Sequence, residues 1–476
     1  MAPSTVGLLD LPSAVLVHIL GLLPTTKPAK DLANTRLSCK ALRDVALAVP
    51  HKPTLAIGSW RLAKAREAGL EGQLLAFLAR NANSWRSMWL AVDSEEQQAV
   101  LHRLSPAGAV NSGLCSLELY LSPPWPVQQS LTVSASLSGS FRLPAQSLAS
   151  MRRLTSLHLH MGLRRVPGTN NYVRHSLSVV GGHLAGCTAL RRLSLEGIEL
   201  LGTAPATWVR LEQLCIRHAN QDAGFWSAVP QLPFLTSLEA GRLGAAVERS
   251  LCSHLPTCTH LVSLRLRLST VEALPQLSPT LTSLRIDGAD HSLRTVPVAP
   301  NLRSLKLWWL PRMVWPEGLS AMVHLTTLHT SGPGRQVLPA PLAALPALED
   351  LRLYNRRVTA LPDQLACAGA LRRLDACGGG LEQVPAVLGG GAACQLAHLS
   401  LSGNKLLTVS SEGLEVLRSL TALTCLDVRD ACAGGWPTDE DLEAALRPVV
   451  PGGCELRVGE DGVESDCETD GIYNSG

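Results

Sequence analysis

Metal-ligating side chains concentrate in one segment of the sequence, LCSHLPTCTH, where Cys252, His254, Cys258 and His260 fall within nine residues. Structural zinc sites place two to four residues between paired cysteines and three to five between paired histidines, so that four ligands converge from turns or one helix face. Here cysteine and histidine alternate with one, three and one residues between them. That pattern fits neither rule, and the reading is of no metal, with the cysteines as small core residues. His158 and His160 share a strand face, but the sequence supplies no third ligand for them. A search for a lysine-bearing phosphate loop or a G-x-S-x-G nucleophile elbow finds neither, and the glycine runs near 378 to 391 lack a following lysine. Catalytic residues and cofactors are therefore both expected to be absent, and the chain is expected not to be an enzyme.

What remains chemically distinctive is charge, and its placement depends on a recurring unit. LTSLHLH, LRRLSLE, LEQLCIR, LVSLRLR, LTSLRID, LRSLKLW, LEDLRLY, LAHLSLS and LTCLDVR all carry apolar residues at relative positions 1, 4 and 6. From Leu190 to Leu423 their first leucines are 20 to 27 residues apart, 23.3 on average. This is the period of a leucine-rich repeat. Weaker copies begin at Trp85, Leu114 and, most degenerate, Leu131, and the 36 residues between Leu154 and Leu190 call for a long loop around Gly168 to His175. Positions 4 and 6 of a short strand face one way and positions 3, 5 and 7 the other. One repeat cannot bury enough apolar surface to stay ordered alone, so the repeats must stack. The predicted fold is α/β, a leucine-rich-repeat solenoid of about 12–15 repeats with a curved parallel sheet. Leu338-Pro339, Leu361-Pro362, Val384-Pro385 and Trp315-Pro316 mark its convex turns. LSLSGNKL, with Asn404 and Leu406, carries the asparagine that resembles the family's usual convex turn.

The outward positions then give a candidate binding surface. Position 5 reads Glu239, Arg265, Arg285, Lys306, His329, Arg352 and Asp375 through the central repeats, and position 7 adds Arg217, Arg267, Trp308 and Tyr354. Arginine pairs carboxylate or phosphate bidentately, and a row of cations steers anions toward it. Arg217, Arg265, Arg267, Arg285, Lys306, Trp308, His329, Arg352 and Tyr354 are accordingly the candidate partner-binding residues, for an acidic or phosphorylated protein segment. A nucleic-acid partner is not expected, because acidic residues break the track at both ends and the net charge is only +3.

Two helices are expected ahead of the repeats. In LLDLPSAVLVHILGLLP, Pro12 suits a first helical turn and Leu16, Ile19, Leu20 and Leu23 share one face, while Val15, Val17 and Leu22 leave the other faces apolar as well. A second helix starts at Asp31 and lines up Leu32, Cys39 and Leu42. The stretch LPSAVLVHILGLLP…DLANTRLSCKALRD resembles an F-box, matching its pattern at Leu11-Pro12, Ile19-Leu20, Leu23-Pro24, Asp31-Leu32, Arg36, Cys39-Lys40 and Arg43. It departs from that pattern at Leu42, where tryptophan is usual, at Ser38, where valine is usual, and in the longer junction TTKPAK. The resemblance implies that Leu11, Pro12, Leu16, Ile19, Leu20, Leu23, Pro24, Leu32, Cys39 and Leu42 dock a Skp-family adaptor of a cullin ubiquitin-ligase complex. The repeats would then recruit the substrate. The alternative is a leucine-rich-repeat adaptor or scaffold without a ligase role.

The domains read as 1–50 F-box-like, 51–84 a helical linker or cap, 85–430 the solenoid, 431–458 a C-terminal cap and 459–476 an acidic tail. Residues 438–470 hold eleven acidic and two basic residues, leaving 40 basic against 28 acidic elsewhere. Within the C-terminal cap, TDEDLEAALRP reads as a helix capped by Thr438 and CELRV as a strand. Thirteen cysteines without a paired framework suit a reducing compartment, the cytoplasm or nucleus. The opening apolar run is too short to span a membrane, so no membrane association is expected.

Overall fold

Each repeat's leucines become the floor of a parallel sheet. The computed structural model describes residues 54–57, 87–92 and 116–121 as backbone strands, and residues 152–459 except 162, 166–171, 175–176, 181–183, 202–206, 219–222, 289–292, 311–314, 316–317, 333–337, 340–341, 343–344, 355–357, 391–394 and 432–437. The F-box-like segment and the acidic tail from residue 460 lie outside the described residues. The chain forms two compact units, Met1–Leu235 and Thr236–Gly476.

In the first unit the sheet runs through β1 (Thr54–Ile57), β2 (Ser87–Val92), β3 (Ser116–Leu121) and β4 (Ser156–Met161). Three short strands follow, β5 (Leu163–Arg165), β6 (Tyr172–Arg174) and β7 (Leu177–Val180), before β8 (Arg192–Glu196) resumes the sheet. After β9 (Ile198–Leu201) comes β10 (Gln213–Arg217), and β1, β2, β3, β4, β8 and β10 pair in that order, all parallel. A six-residue helix, α1 (Ala223–Ala228), follows β10.

Two sequence expectations change here. Thr54–Ile57, placed in the helical linker, is instead the first strand, its β-branched ends suiting a sheet better than a helix. β3 pairs directly with β4, and the degenerate repeat at Leu131 lies outside the described residues. The stretch read as one long loop before Leu190 carries an antiparallel pair, β5 with β6, and a parallel pair, β7 with β9. PGTNN between β5 and β6 is rich in turn formers, and the alternation on either side is strand-like.

The second unit is more regular. β11 (Ser237–Gly241), β12 (Ser263–Leu268), β13 (Ser283–Gly288), β14 (Ser304–Trp308), β15 (Thr327–Ser331), β16 (Asp350–Tyr354), β17 (Arg373–Asp375), β18 (His398–Ser400), β19 (Cys425–Asp427) and β20 (Glu455–Arg457) pair successively, all parallel and in register. Leucines at positions 1, 4 and 6 are sealed inside, as with Leu302, Leu305 and Leu307, each 0% exposed. The strands hold register partly because the backbone carbonyl at position 2 accepts two amides of the next repeat, as when Thr282 O receives the N–H groups of Arg303 and Ser304. At the far end, position 8 adopts positive φ in Gly197, His218, Arg242, Trp309, Gly332, Gly378, Gly403 and Asp430. There its amide often turns to the position-7 carbonyl of the next repeat, as Gly378 N–H does to Ser402 O.

The convex side varies. Pro362 and Pro385 precede single 3-10 turns, Asp363–Cys367 and Ala386–Gly389, as the Leu-Pro and Val-Pro pairs predict. Elsewhere helices α2 (Ala245–His254) and α3 (Ser411–Ser419) return the chain. Within α2, the fully buried Glu248 carboxylate accepts the backbone N–H and hydroxyl of both Ser269 and Thr270. Asn404 occupies its turn as the sequence suggests: it is fully buried, its Nδ2 donates to Ala376 O and Leu401 O at 2.7 Å, and its Oδ1 accepts from Leu381 N–H. Gly403 beside it has φ +69°, and a Cβ there would lie 3.2 Å from the Gly378 backbone. Helix α4 (Asp439–Leu446) is capped by Thr438, whose Oγ1 accepts from Asp441 N–H, and β20 closes the sheet.

Candidate functional site

Register turns the outward positions into continuous rows. In the second unit, position 5 aligns Glu239, Arg265, Arg285, Lys306, His329, Arg352, Asp375, Ser400 and Asp427 across β11–β19. Position 3 aligns Ser237, Ser263, Ser283, Ser304, Thr327, Asp350 and Arg373 beside it. The candidate residues Arg265, Arg267, Arg285, Lys306, Trp308, His329, Arg352 and Tyr354 thus share one strand face. Arg217 belongs to the first unit, where it ends β10 in register with Glu196.

The face is not the open basic strip that the one-letter pattern suggests. Arg265 lies 3.4 Å from Glu239 and donates twice to Asp287 Oδ2 at 3.3 Å. Arg285 donates from Nε to Asp287 Oδ1 at 3.1 Å, and its guanidinium lies 5.3 Å from the centre of the Trp308 ring. Asp287 sits at position 7 and Asp350 at position 3, so a reading confined to the position-5 row misses the acids that neutralise it. Lys306 differs: among the described residues it is the position-5 cation with neither an ion pair nor a hydrogen bond, and its side chain is half-buried.

From β15 onward the face becomes a packed, neutralised network. His329 Nε2 lies 3.1 Å from Asp350 Oδ2, while Arg352 donates to both oxygens of Asp350 and, through Nη1, to the Tyr354 hydroxyl. Tyr354 in turn donates to Asp375, which also holds Arg373 at 3.0 Å and His398 at 3.2 Å. Burial by itself would raise the Asp350 carboxyl, but His329 and Arg352 outweigh it and hold it down at about 2. Asp375 is likewise lowered: burial opposes ionisation, and His398 and Arg373 overcome it. Burial pushes His329 below the usual histidine value, although Asp350 pulls the other way. The aromatics expected as exposed neighbours are instead buried. Trp308 and Tyr354 stack at 5.6 Å with planes 18° apart, across the small Ser331 and against Cys377. Arg285 lies over the Trp308 ring and Arg352 donates to the Tyr354 hydroxyl, so each guanidinium is held in part by one of the two rings.

In the first unit, Glu196 stands between His160 Nε2 at 3.2 Å and His218 Nε2 at 4.0 Å. The His160 hydrogen bond is the main cause of its lowered carboxyl pKa. The sequence paired His160 with His158 and missed Glu196, which the 36-residue interval carries into register. Among the described residues no group of three or more His, Cys, Asp or Glu is arranged to hold a metal ion. In LCSHLPTCTH, Cys252 and Cys258 are buried core thiols, pushed up by burial to about 12 and about 11, whereas His260 is exposed. Among the described residues no helix is long and apolar enough to cross a membrane. The ten adaptor-binding candidates from Leu11 to Leu42 lie outside the described residues.

No protein-family model matches the chain, and no curated protein sequence matches it. Solved structures similar to it are leucine-rich-repeat proteins and receptors. An internalin of Listeria monocytogenes is 18% identical, over 62% of this chain and 87% of its own, with a TM-score of 0.43. A leucine-rich-repeat protein of Leptospira interrogans is 16% identical over 80% and 98%, with a TM-score of 0.39. TLR13, in its complex with ssRNA13, is 16% identical over 81% and 52%, with a TM-score of 0.49.

Proposed function

We propose that this chain is a non-catalytic binding protein whose second-unit strand face holds a segment of another protein. The observation that carries the reading is the preorganisation of that face. Arg265, Arg285 and Arg352 are fixed by carboxylates and rings before any partner arrives, so binding orders few side chains that are not already ordered. Over β12–β14 cations outnumber acids among the described residues, so an acidic segment suits that part of the face better than a neutral one. Affinity capture with the wild-type chain and a Lys306→Glu variant tests this. The variant should lose the captured protein while keeping its fold, because Lys306 makes no pair whose loss would unfold the sheet. Equal capture by both contradicts the reading.

The F-box resemblance supports a finer version, in which residues 1–50 join the chain to a Skp-family adaptor and a cullin complex and the strand face selects the protein to be ubiquitinated, in cytoplasm or nucleus. Co-purification with a Skp-family adaptor, before and after Leu16→Asp and Ile19→Asp, is its test. If the wild-type chain recovers no adaptor, or the charged variants recover as much, the ligase role fails and a scaffold remains.

A further inference from the structure

We infer that the ionic network over β15–β17 is an acid-operated switch: when His329 takes up a proton, Asp350 and Asp375 exchange partners and the Tyr354 ring is released from its stack on Trp308. The switch goes beyond the partner-binding reading and does not depend on it.

His329 stands where an added charge is hard to hold. It is 4% exposed. β14 sets Lys306 in register on one side of it and β16 sets Arg352 in register on the other, with Asp350 and Tyr354 on the same strand as Arg352. β15 itself carries no other titratable residue. The carboxylate that meets the imidazole, Asp350 at 3.1 Å, already accepts from Arg352 through Nε and Nη2. With His329 neutral, Arg352 and Arg373 are matched by Asp350 and Asp375. An imidazolium placed between Lys306 and Arg352 adds a buried charge to a network that is already balanced. Burial and the two cations accordingly hold the histidine below its ordinary value, against the pull of Asp350.

A second set of pairings is within reach, and this makes the network a switch. His329 Nε2 and Arg352 Nη2 share Asp350 Oδ2, each at 3.1 Å. Once charged, His329 competes for that oxygen as an ionic donor. Arg352 then has another carboxylate at hand, because its Nε lies 3.6 Å from Asp375 Oδ2. That oxygen is the one to which the Tyr354 hydroxyl donates, at 3.4 Å, and Arg373 also holds it. A guanidinium moving onto Asp375 Oδ2 displaces the phenol, since a charge-assisted bond outcompetes a neutral one. The same movement withdraws Arg352 Nη1 from the Tyr354 hydroxyl. Tyr354 is left with its stack on Trp308 and its packing against Cys377. His398 sits on the opposite oxygen, Asp375 Oδ1 at 3.2 Å, so its own protonation leaves the Oδ2 exchange alone. One proton taken up in β15 is thus read out as the freedom of a ring in β16.

The test replaces the four tyrosines of the full chain, at positions 120, 172, 354 and 473, with 3-fluorotyrosine, and Tyr354→Phe identifies the 19F NMR signal of Tyr354. A neutral gadolinium chelate in solution broadens the signals of rings that reach water. In wild type the chelate should broaden the Tyr354 signal at least about threefold more at pH 5 than at pH 7.5, with far-UV circular dichroism unchanged. His329→Gln should remove that difference and His398→Gln should keep it. Lys306→Gln takes away a repelling cation without touching the core, so it should move the midpoint of the response to higher pH, and it decides the matter if His329→Gln does not fold. A Tyr354 signal equally shielded at both pH values overturns the switch, as does broadening accompanied by a loss of ellipticity, which is global acid unfolding. A response that survives His329→Gln, disappears in His398→Gln or keeps its midpoint in Lys306→Gln overturns His329 as the sensor.

Discussion

Replacing Asp350 by asparagine removes the centre of the neutralised network, and the structure gives the size of the effect. Asp350 accepts from Arg352 Nε at 3.0 Å and Nη2 at 3.1 Å and meets His329 Nε2 at 3.1 Å. Against burial, these partners hold its carboxyl at about 2 instead of the ordinary 3.8. A difference of this size corresponds to about 2 kcal/mol of stability at neutral pH. Because the folded value is the lower one, that stability is fully present above pH 4 and is lost as pH falls through about 2; near pH 3 about half of it remains. Urea unfolding of wild type and Asp350→Asn, followed by circular dichroism at pH 7 and pH 3, measures both quantities. The variant should be less stable by about 2 kcal/mol at pH 7 and by about half that at pH 3. A penalty that is equal at the two pH values, or absent at pH 7, would refute the claim that ionic pairing of Asp350 stabilises the sheet.

Other groups make parallel predictions. Glu248→Gln turns an amide nitrogen toward the donors of Ser269 and Thr270 and should cost about 2–3 kcal/mol, with hydrogen exchange accelerating in α2 and the 269–270 turn while β17–β19 stay protected. Asn404→Ala strands three buried backbone partners and should cost about 3 kcal/mol, with faster exchange at Leu381 N–H as the local signature. His329 is held below its unfolded value by burial, so it contributes stability that is present above about pH 6.5 and declines as pH falls toward its folded value. His329→Gln should flatten the stability profile over that interval, and an unchanged profile would contradict the assignment.

The repeats were legible because burial acts at a fixed period: Leu302, Leu305 and Leu307 announce both the strand and the side that is sealed. From that period follows the alignment of Arg265, Arg285 and Lys306, which the register confirms. What reading one row could not reveal was neutralisation, since Asp287 and Asp350 reach the row from positions 7 and 3. The fate of Trp308 and Tyr354 was equally hidden. Outward positions read as exposed, yet a serine between two large rings lets them close over the sheet and bury themselves. The positive-φ ends show the limit of glycine as a signal: His218, Arg242, Trp309 and Asp430 adopt the geometry that Gly378 and Gly403 advertise, and for Arg242 and Asp430 the amide is held by the carbonyls of Arg267 and Gly459.

The most direct test of a partner on the second-unit strand face is site-specific photo-crosslinking in the full chain. A benzophenone amino acid is placed at Ser283 or Ser304 on that face, or at Leu406, a 67% exposed residue in the convex turn after β18. With the protein that wild type retains and Lys306→Glu does not, the account predicts covalent adducts from Ser283 and Ser304 and none from Leu406. Adducts from Leu406 with none from the two serines would contradict it.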